Sequence, residues 1–512
     1  MATVDGVVLN QALVARFGDV LRQAGYHEAG LRQAVGTSSS LAHDPRASEV
    51  ARRRLADGQS LSTLIRLFCL GLRVPTDQVS EAIYPSRVDQ LVEIGVLAEY
   101  NGLVQPQMAI DADREMLIAH DVAHHGRALA GDHVIGLAPA PRTLAALTVR
   151  SRVGRVLDLG TGSGIQALLA VAHADEVVAT DINPRALAYT RFNAALNRVA
   201  TPSLCEGNLF EPVANDAFDL IVANPPYVLS PDSTFQYRDS GMAGDQLSRM
   251  VVREAAGHLN EGGFASILIN WAHQEGGLWQ APLAGWVRGL GCDAVVLHFR
   301  AYAPLTYASL WIKDAADVGS TLDRWLAYYR RHGIEAISSG AVILRRRSGV
   351  NWRLAIEVKP APIHDATDHL LQIFAANDRL HSMADSVLLD RRFRPHSGHR
   401  IQRTGVSREG SYLVQGQSLQ TISGIPMRVS LGEFGSKLLI KLDGTRTLRM
   451  ITSELGDAAR STPSGDAMGE GIEIVKRLVA LGFLEMDAVT PYAESHVDVE
   501  SGRDSARSLV AP

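Results

Sequence analysis

Only three cysteines occur in the 512 residues, Cys69, Cys205 and Cys292. Odd in number and far apart, they exclude a disulfide framework and a zinc knuckle. No run approaches the roughly 18–20 uninterrupted apolar residues that a helix needs to cross a bilayer. The opening residues, MATVDGVVLNQALVARFGDVL, carry Asp5 and no basic cluster ahead of an apolar stretch, so no signal peptide is expected. Net positive charge is also lacking. The formal balance is −5, which leaves no global basic field to draw in nucleic acid. Lysine is confined to positions 313, 359, 437, 441 and 476, the other cations being arginine; this reads as a codon preference and assigns no substrate. These absences point to a soluble, cytoplasmic protein that makes no use of a membrane.

Hydrophobic residues make up 46% of the chain, enough to fill cores, and the length calls for two to four domains. Apolar spacing in Ala12, Leu13, Phe17, Leu21 and again in Leu61, Leu64, Ile65, Phe68, Leu72 fits helical faces. Short helices over Gln78–Ile83 and Ser86–Ile94, then two brief strands around Asn101-Gly102, suggest a winged-helix-like unit. It has no basic recognition helix, so packing is preferred to DNA binding. From about 111 to 315, strand and helix patterns alternate, the mark of a parallel α/β sheet. Expected strands are Arg155–Leu159, Glu176–Thr180, Ser203–Glu206, Leu220–Ala223, Ala265–Asn270, Ala294–His298 and Ala308–Ile312. Beyond them come a helix over Thr321–His332, a strand-like run at Gly340–Arg346, and Arg- and His-rich segments of no assignable shape. Ser436–Leu442, Arg449–Leu455 and Ile472–Leu484 read as a second winged-helix-like module before a polar, aperiodic tail. The expected domains are therefore 1–110, 111–315, an accessory α+β region over 316–430, a small module over 431–486, and a disordered tail over 487–512.

The strongest local signal is Val156-Leu157-Asp158-Leu159-Gly160-Thr161-Gly162-Ser163-Gly164-Ile165. An apolar strand runs into three alternating glycines, and a helix follows at once. Glycine allows a sharp turn and close approach of a ligand to the main chain, and the free N–H groups of the helix start face that ligand. The next strand ends in Thr180-Asp181-Ile182-Asn183, with Asp181 lying 21 residues after Gly160. That is where a Rossmann-like fold places an acid on ribose hydroxyls; a plain helix N-cap before Pro184 is compatible with the same residues. Asp158 discriminates between ligands. A carboxylate there repels a pyrophosphate and suits the ammonium of a methionine moiety, which favours S-adenosyl-L-methionine over a dinucleotide. A third signal is Phe218–Ala223 followed by Asn224-Pro225-Pro226-Tyr227. The prolines fix the backbone and remove two N–H donors, so the Asn224 amide oxygen and the Pro225 carbonyl can accept from an NH2 group. Tyr227 offers a flat face to a planar amide or base.

On these residues the sequence resembles the release-factor glutamine N5-methyltransferases and related "methyltransferase small" enzymes. The likeness runs over about 130–315 and takes in Asp158–Gly164, Asp181–Pro184, Gly207-Asn208-Leu209-Phe210 and Asn224–Tyr227. It implies an α/β fold with a Rossmann-like, seven-stranded class I methyltransferase core that binds S-adenosyl-L-methionine. A helical, winged-helix-like N-terminal domain and an α+β C-terminal region with a winged-helix-like end would flank it. By the resemblance, Asp158, Gly160, Thr161, Gly162, Gly164, Asp181, Ile182, Asn183, Asn208, Leu209 and Asn224 hold the cofactor, Asn208 lies by the adenine, and Asn224, with Pro225, Pro226 and Tyr227, also holds the accepting amide. The segment Ser230–Ser240, with Tyr237-Arg238-Asp239, departs from the family pattern, as do both flanking regions.

Other groups invite weighing. His120, His124 and His125 are read on a helix, the first two at metal-ligand spacing, but no metalloprotease glutamate sits between them and no metal site is assigned. Asp132–Thr143 precedes the first strand, where a lid over the cofactor often forms. Arg391–Arg403, with five arginines, is the best candidate for a nucleic-acid or acidic partner, against the plainer reading of a solvated loop. The acceptor stays open between a protein glutamine side chain, a nucleobase amine and a small molecule. A homodimer is one use for the flanking domains. A non-catalytic cofactor-binding regulator is the alternative of another class.

Overall fold

The computed structural model describes residues 3–4, 7–8, 10–36, 45–122, 129–312, 315, 317–408, 410–458 and 466–487. The chain divides into two compact units, Met1–His381 with Gly398–Leu431, and Ser382–Ser397 with Gly432–Pro512. His124, His125 and the expected tail from 488 onward lie outside the described residues. Among the described residues no helix is long and apolar enough to cross a membrane.

The larger unit is organised by one mixed sheet of eight strands: β1 (Val153–Leu159), β2 (Ala174–Asp181), β3 (Ser203–Glu206), β4 (Phe218–Ala223), β5 (Leu259–His273), β6 (Cys292–Tyr302), β7 (Ala336–Arg346) and β8 (Arg353–Glu357). Their spatial order is β3-β2-β1-β4-β5-β7-β6-β8. From β3 through β5 every pair is parallel, while β7 runs antiparallel to both β5 and β6. The inner strands read as unbroken apolar runs because both of their faces are covered; the last four residues of β1 and of β4 are all buried. Helices α1 (Ile165–Ala170), α2 (Pro184–Leu196) and α3 (Gln246–Gly257) follow β1, β2 and β4. Asn183 caps α2 by accepting the N–H of Arg185, and Pro184 stands at its first turn, where a missing N–H costs nothing.

The Rossmann-like α/β core is as expected, with corrections at its far edge. Ala308–Ile312 is not a strand. It falls in helix α4 (Pro304–Trp311), started by Pro304 in the first turn, with Tyr307 and Ala308 on its buried side. A short apolar run does not reveal its period, and here proline decided it. Gly340–Arg346 belongs to β7, which inserts between β5 and β6 after helix α5 (Val318–Arg331). The sheet therefore gains β8 as an eighth strand, and the expected boundary at residue 315 cuts through it rather than ending it. The boundary at 431 also shifts, because the smaller unit takes in the helix Asp385–Leu389 and the strand Phe393–Pro395. That strand pairs with Leu484–Met486, beside helices Glu433–Lys441, Leu448–Ala458 and Ala467–Ala480. The Arg- and His-rich segments, to which the sequence assigns no particular shape, contain a three-stranded antiparallel sheet of His399–Arg408, Ser411–Thr421 and Arg428–Leu431.

The N-terminal region shares a core with the sheet domain. Phe17, Leu21 and Phe68 from helices Gln11–Gln23 and Ser60–Phe68 belong to one apolar cluster with Tyr189, Phe192 and Leu196 of α2. Each such side chain, fully buried, contributes roughly 1.5–3 kcal/mol. Asn193 and Asn197 of α2 strengthen the join by bonding the backbone of Ala119 and Leu117. These bonds fall on the hairpin Ala109–Asp113 with Met116–His120. His120 is thus the last residue of a strand rather than part of a helix, because Leu117, Ile118 and Ala119 form a buried run paired across the hairpin.

Candidate functional site

Parallel register brings the flagged motifs to one level. Leu159 of β1 is aligned with Thr180 of β2 and with Ala223 of β4, and Asp181 with Glu206 of β3. The glycine turn, Asp181, the Gly207–Leu209 turn and Asn224 therefore leave the carboxyl ends of four adjacent strands. β1 lies where the chain order reverses, the crevice in which open α/β sheets bind ligands.

The glycine turn is held by its neighbours. Gly160 and Thr161 both donate backbone N–H to the Thr180 carbonyl at 2.9 Å. Asp181 accepts from Gly162 N through Oδ2 and from Asn183 N through Oδ1, each at 2.9 Å. Gly160, Gly162 and Gly164 have φ of +70°, +56° and +87°, a region costly for other residues. A Cβ at Gly160 or Gly162 would meet nothing within 4 Å, whereas one at Gly164 would stand 2.8 Å from Thr190. The first two glycines thus border open space and the third packs on α2.

Asp158 is 2% exposed. Its Oδ2 accepts from Thr161 Oγ1 at 2.7 Å and from Ala167 N at 2.9 Å, tying the turn to the start of α1. Burial pushes its carboxyl up to about 6, and burial likewise raises Asp181. Asp158 therefore has a structural duty in addition to any contact with a ligand. A cavity of about 260 Å³ is lined by Asp158, Gly160–Ser163, Asp181–Asn183, Asn208, Leu209 and Asn224. Ile182 is 54% exposed there, and Leu209 takes φ +48°. Among the described residues, the Asn208 side chain reaches Glu211, at 3.5 Å.

Asn224 also borders a larger cavity of about 1300 Å³, together with Pro225 and Tyr227. No side-chain hydrogen bond of Asn224 is present among the described residues, so its amide is unspent at the junction of the two spaces. The Pro225 carbonyl is already in use: it accepts the Tyr227 N–H at 2.8 Å, which leaves one lone pair. Burial raises the Tyr227 hydroxyl to about 12, with Tyr302 adding to it. The segment beyond is fixed by an aromatic cluster. Tyr307 Oη bonds Asn270 Nδ2 at 2.6 Å and the Leu229 N–H at 3.3 Å, and Tyr329 donates to the Leu229 carbonyl at 2.9 Å.

Further bordering residues come from two segments flagged above, Asp132–Thr143 and Ser230–Ser240. His133, Ile135, Gly136 and Tyr237 line both cavities. The stretch Asp132–Thr143, expected as a lid, thus runs between them. Tyr237 is presented by a loop folded around Arg238, which grips Asp239 with two bonds of 2.7 and 3.0 Å and stacks over Phe235. Asp121 is a hub that accepts from Val134 N (2.8 Å), Arg185 Nη2 (2.6 Å) and Tyr189 Oη (2.7 Å). The far wall of the larger cavity comes from the N-terminal region, including Phe68, Leu70, Asp111 and His120.

His120 faces acceptors on both ring nitrogens, the Asp121 carbonyl at 3.0 Å and Asp111 Oδ2 at 3.1 Å. The second contact is an ion pair with poor N–H alignment. Protonation of the ring strengthens both contacts. Burial opposes that charge, yet Asp111 and Asp121 outweigh it and hold His120 above its ordinary value. A Cβ at Gly136 would come within 2.3 Å of the His120 ring, so the lid passes this pair only as glycine.

Residues 140–276 match the methyltransferase small domain, and residues 23–107 match a family described as a domain of unknown function (DUF7059). Among curated proteins, the chain is 37% identical over 134 residues to a release factor glutamine methyltransferase of Geobacter sulfurreducens, covering 23% of this chain and 46% of that protein. It is 36% identical over 124 residues to a ribosomal protein uL3 glutamine methyltransferase of Bradyrhizobium diazoefficiens, covering 22% and 39%. A ribosomal RNA small subunit methyltransferase C of Klebsiella pneumoniae is 26% identical over 212 residues, covering 39% and 55%. In these three alignments the chain spans about half the relative's length or less.

Proposed function

We propose that the protein, whose residues 140–276 match the methyltransferase small domain, transfers a methyl group from S-adenosyl-L-methionine to a planar amide nitrogen, with a protein glutamine side chain as acceptor. The observation that carries this reading is Asn224, whose unspent amide stands at the end of β4 and faces both the small cavity beside the glycine turn and the large one beyond it.

The small cavity fits S-adenosyl-L-methionine. Gly160 and Gly162 leave an open cradle that a Cβ would enter. Asp181 keeps a lone pair on each oxygen for ribose hydroxyls, Ile182 supplies an exposed apolar face for adenine, and Asn208 borders the same end. Asp158 suits an ammonium group, and Thr161, Asn183 and Leu209 complete the wall, while Gly164, expected to hold the cofactor, packs on Thr190 outside it. When bound, the cofactor supplies an electrophilic methyl on a cationic sulfur. The chain's own residues position the nucleophile. Asn224 Oδ1 and the remaining lone pair of the Pro225 carbonyl accept the two N–H bonds of the acceptor, which turns the nitrogen lone pair toward the small cavity. Pro226 stiffens the turn, and Tyr227 stacks on the amide plane. As the N–C bond forms, one N–H proton is released to water. Holding the partners in line can contribute on the order of 7–11 kcal/mol, so no separate base is invoked.

The names of two relatives specify protein glutamine, which supports the choice of acceptor. The ribosomal RNA relative keeps a nucleobase amine as the second reading, since an exocyclic NH2 presents the same two donors. The test is to incubate the protein with methyl-labelled S-adenosyl-L-methionine and host extract, then separate protein, nucleic acid and small molecules. Label recovered as N5-methylglutamine after protein hydrolysis is expected; label confined to nucleic acid or metabolites would replace the acceptor assigned here.

A further inference from the structure

The stretch Arg391–Arg403 divides at the junction of the two units, and its two parts differ in how the arginines are satisfied. In the smaller unit Arg394 pairs with Glu485 at 2.6 Å, and Arg392 approaches Asp487 at 3.9 Å. Nearby Arg446 and Arg449 pair with Glu454 and Asp390, both at 2.7 Å. In the larger unit the strand His399–Arg408 carries Arg400, Arg403 and Arg408, and none of them meets a carboxylate among the described residues. Arg428, on the third strand of the same sheet, bonds only Ser418 Oγ at 3.0 Å. Across the whole 398–431 sequence the single acidic residue is Glu409, in a chain whose overall charge is negative.

Register shows what this sheet presents. Arg400, Gln420 and Arg428 lie in one row across the three strands, and Gln402, Ser418 and Ser430 form the next row on the same face. Arg408 lies farther along the same strand as Arg400, beyond a register shift between Thr404 and Gly405. Gln420 bridges the rows, accepting from Arg400 at 3.5 Å and donating to Gln402. Arg400, Gln402, Arg428 and Ser430 are exposed. In its three-stranded part this face has no apolar side chain; the apolar residues Leu419 and Val429 are buried on the other face. Beyond Thr404 the sheet narrows to a two-stranded ribbon, with Thr404–Arg408 exposed throughout. Such a ribbon is marginal by itself in water, so a covering partner would add stability.

We propose that this face is a docking surface for the phosphate backbone of a nucleic acid. Protein partners are held by apolar and aromatic anchors at the centre of an interface, and this face offers none in its three-stranded part. Nucleic-acid interfaces are polar and strongly cationic. Planar guanidinium forks match phosphate oxygens, and the exposed Gln402 and Ser430 side chains can reach sugar and base edges, whereas Ser418 is buried under Arg428. With no base-reading pocket in view, the contact is to the backbone and independent of sequence. This role stands apart from methyl transfer and does not require it.

The test uses the full chain and fluorescence-labelled 20-mers as single-stranded RNA, duplex RNA and duplex DNA, with poly-glutamate as a non-nucleic polyanion. Wild-type protein should bind at least one of the oligonucleotides and lose about 100-fold in affinity between 50 and 200 mM salt, as expected for about four phosphate contacts. The triple variant R400Q/R408Q/R428Q should bind at least tenfold more weakly at 50 mM salt, with its log–log salt slope reduced by about 2–3. R394Q, which removes an arginine already paired with Glu485, should bind as wild type. S-adenosyl-L-methionine affinity, measured on the same preparations, reports that each variant is folded. Absence of nucleic-acid binding, an unchanged slope in a folded triple variant, or equal arginine-dependent binding of poly-glutamate would each overturn the proposal.

Discussion

Asp158→Asn should stabilise the protein at neutral pH while weakening its cofactor site. The wild-type carboxyl is 2% exposed, and burial raises it from its ordinary value of 3.8 to about 6. At about 1.36 kcal/mol per unit, keeping Asp158 ionised in the folded state costs about 3 kcal/mol. Below the unfolded value the group is neutral in both states and this cost vanishes. As pH rises from about 4 to about 6 the unfolded chain ionises first, so stability is progressively lost, and above about 6 the loss is complete. Asparagine can keep an oxygen toward Thr161 Oγ1 and Ala167 N while removing the charge. Thermal unfolding of both proteins should therefore coincide near pH 4 and separate by a few degrees at pH 7.5, the variant being the higher. Calorimetry at pH 7.5 should show weaker S-adenosyl-L-methionine binding, because the ammonium loses its counter-charge. A variant less stable at pH 7.5, or a gain of equal size at both pH values, would refute the reasoning.

The glycines separate cradle from packing. Gly162→Ala adds a methyl where the protein offers no contact, so stability should fall by only about 1–2 kcal/mol for the positive φ while cofactor affinity drops at least tenfold. Gly164→Ala meets Thr190 at 2.8 Å and should lower the melting temperature more than Gly162→Ala does. Asp181→Asn cannot accept from both Gly162 N and Asn183 N; titration calorimetry should show at least a tenfold loss of cofactor affinity. His120→Gln removes a cation whose ionisation is favoured by folding. Its stabilisation is complete below the ordinary histidine value of about 6.5 and is lost as pH rises through the raised folded value. Denaturant melts should separate variant from wild type more at pH 6 than at pH 9.

The convergence of the flagged motifs at the carboxyl ends of the strands is legible in the sequence because each motif is local. β1 and β4 are buried on both faces, so they appear as apolar runs, and each is followed at once by residues with restrictive backbones, Gly160–Gly164 and Pro225-Pro226. Parallel strands align their ends, so motifs recognised separately converge without further information. What escaped was non-local. β7 pairs between β5 and β6 only after α5 intervenes, and nothing in Ala336–Arg346 says which strand it will join. Ala308–Ile312 is short enough to satisfy either period. The walls supplied by Phe68, Asp111 and His120 lie more than 100 residues before Asn224, and they reach the cavity only because α2 buries Tyr189, Phe192 and Leu196 in the N-terminal core. The charge of Asp158 is legible in the sequence, whereas its bonds to Thr161 and Ala167 depend on the fold.

Asn224→Ala bears most directly on the central idea that one unspent amide couples the two cavities. Wild-type and variant proteins would be given labelled S-adenosyl-L-methionine and extract, with incorporation followed over one turnover and cofactor affinity measured in parallel. The expected outcome is at least a 100-fold slower transfer with cofactor binding within a few-fold of wild type. Transfer at the wild-type rate, or a loss of cofactor affinity as large as the loss of rate, would contradict it.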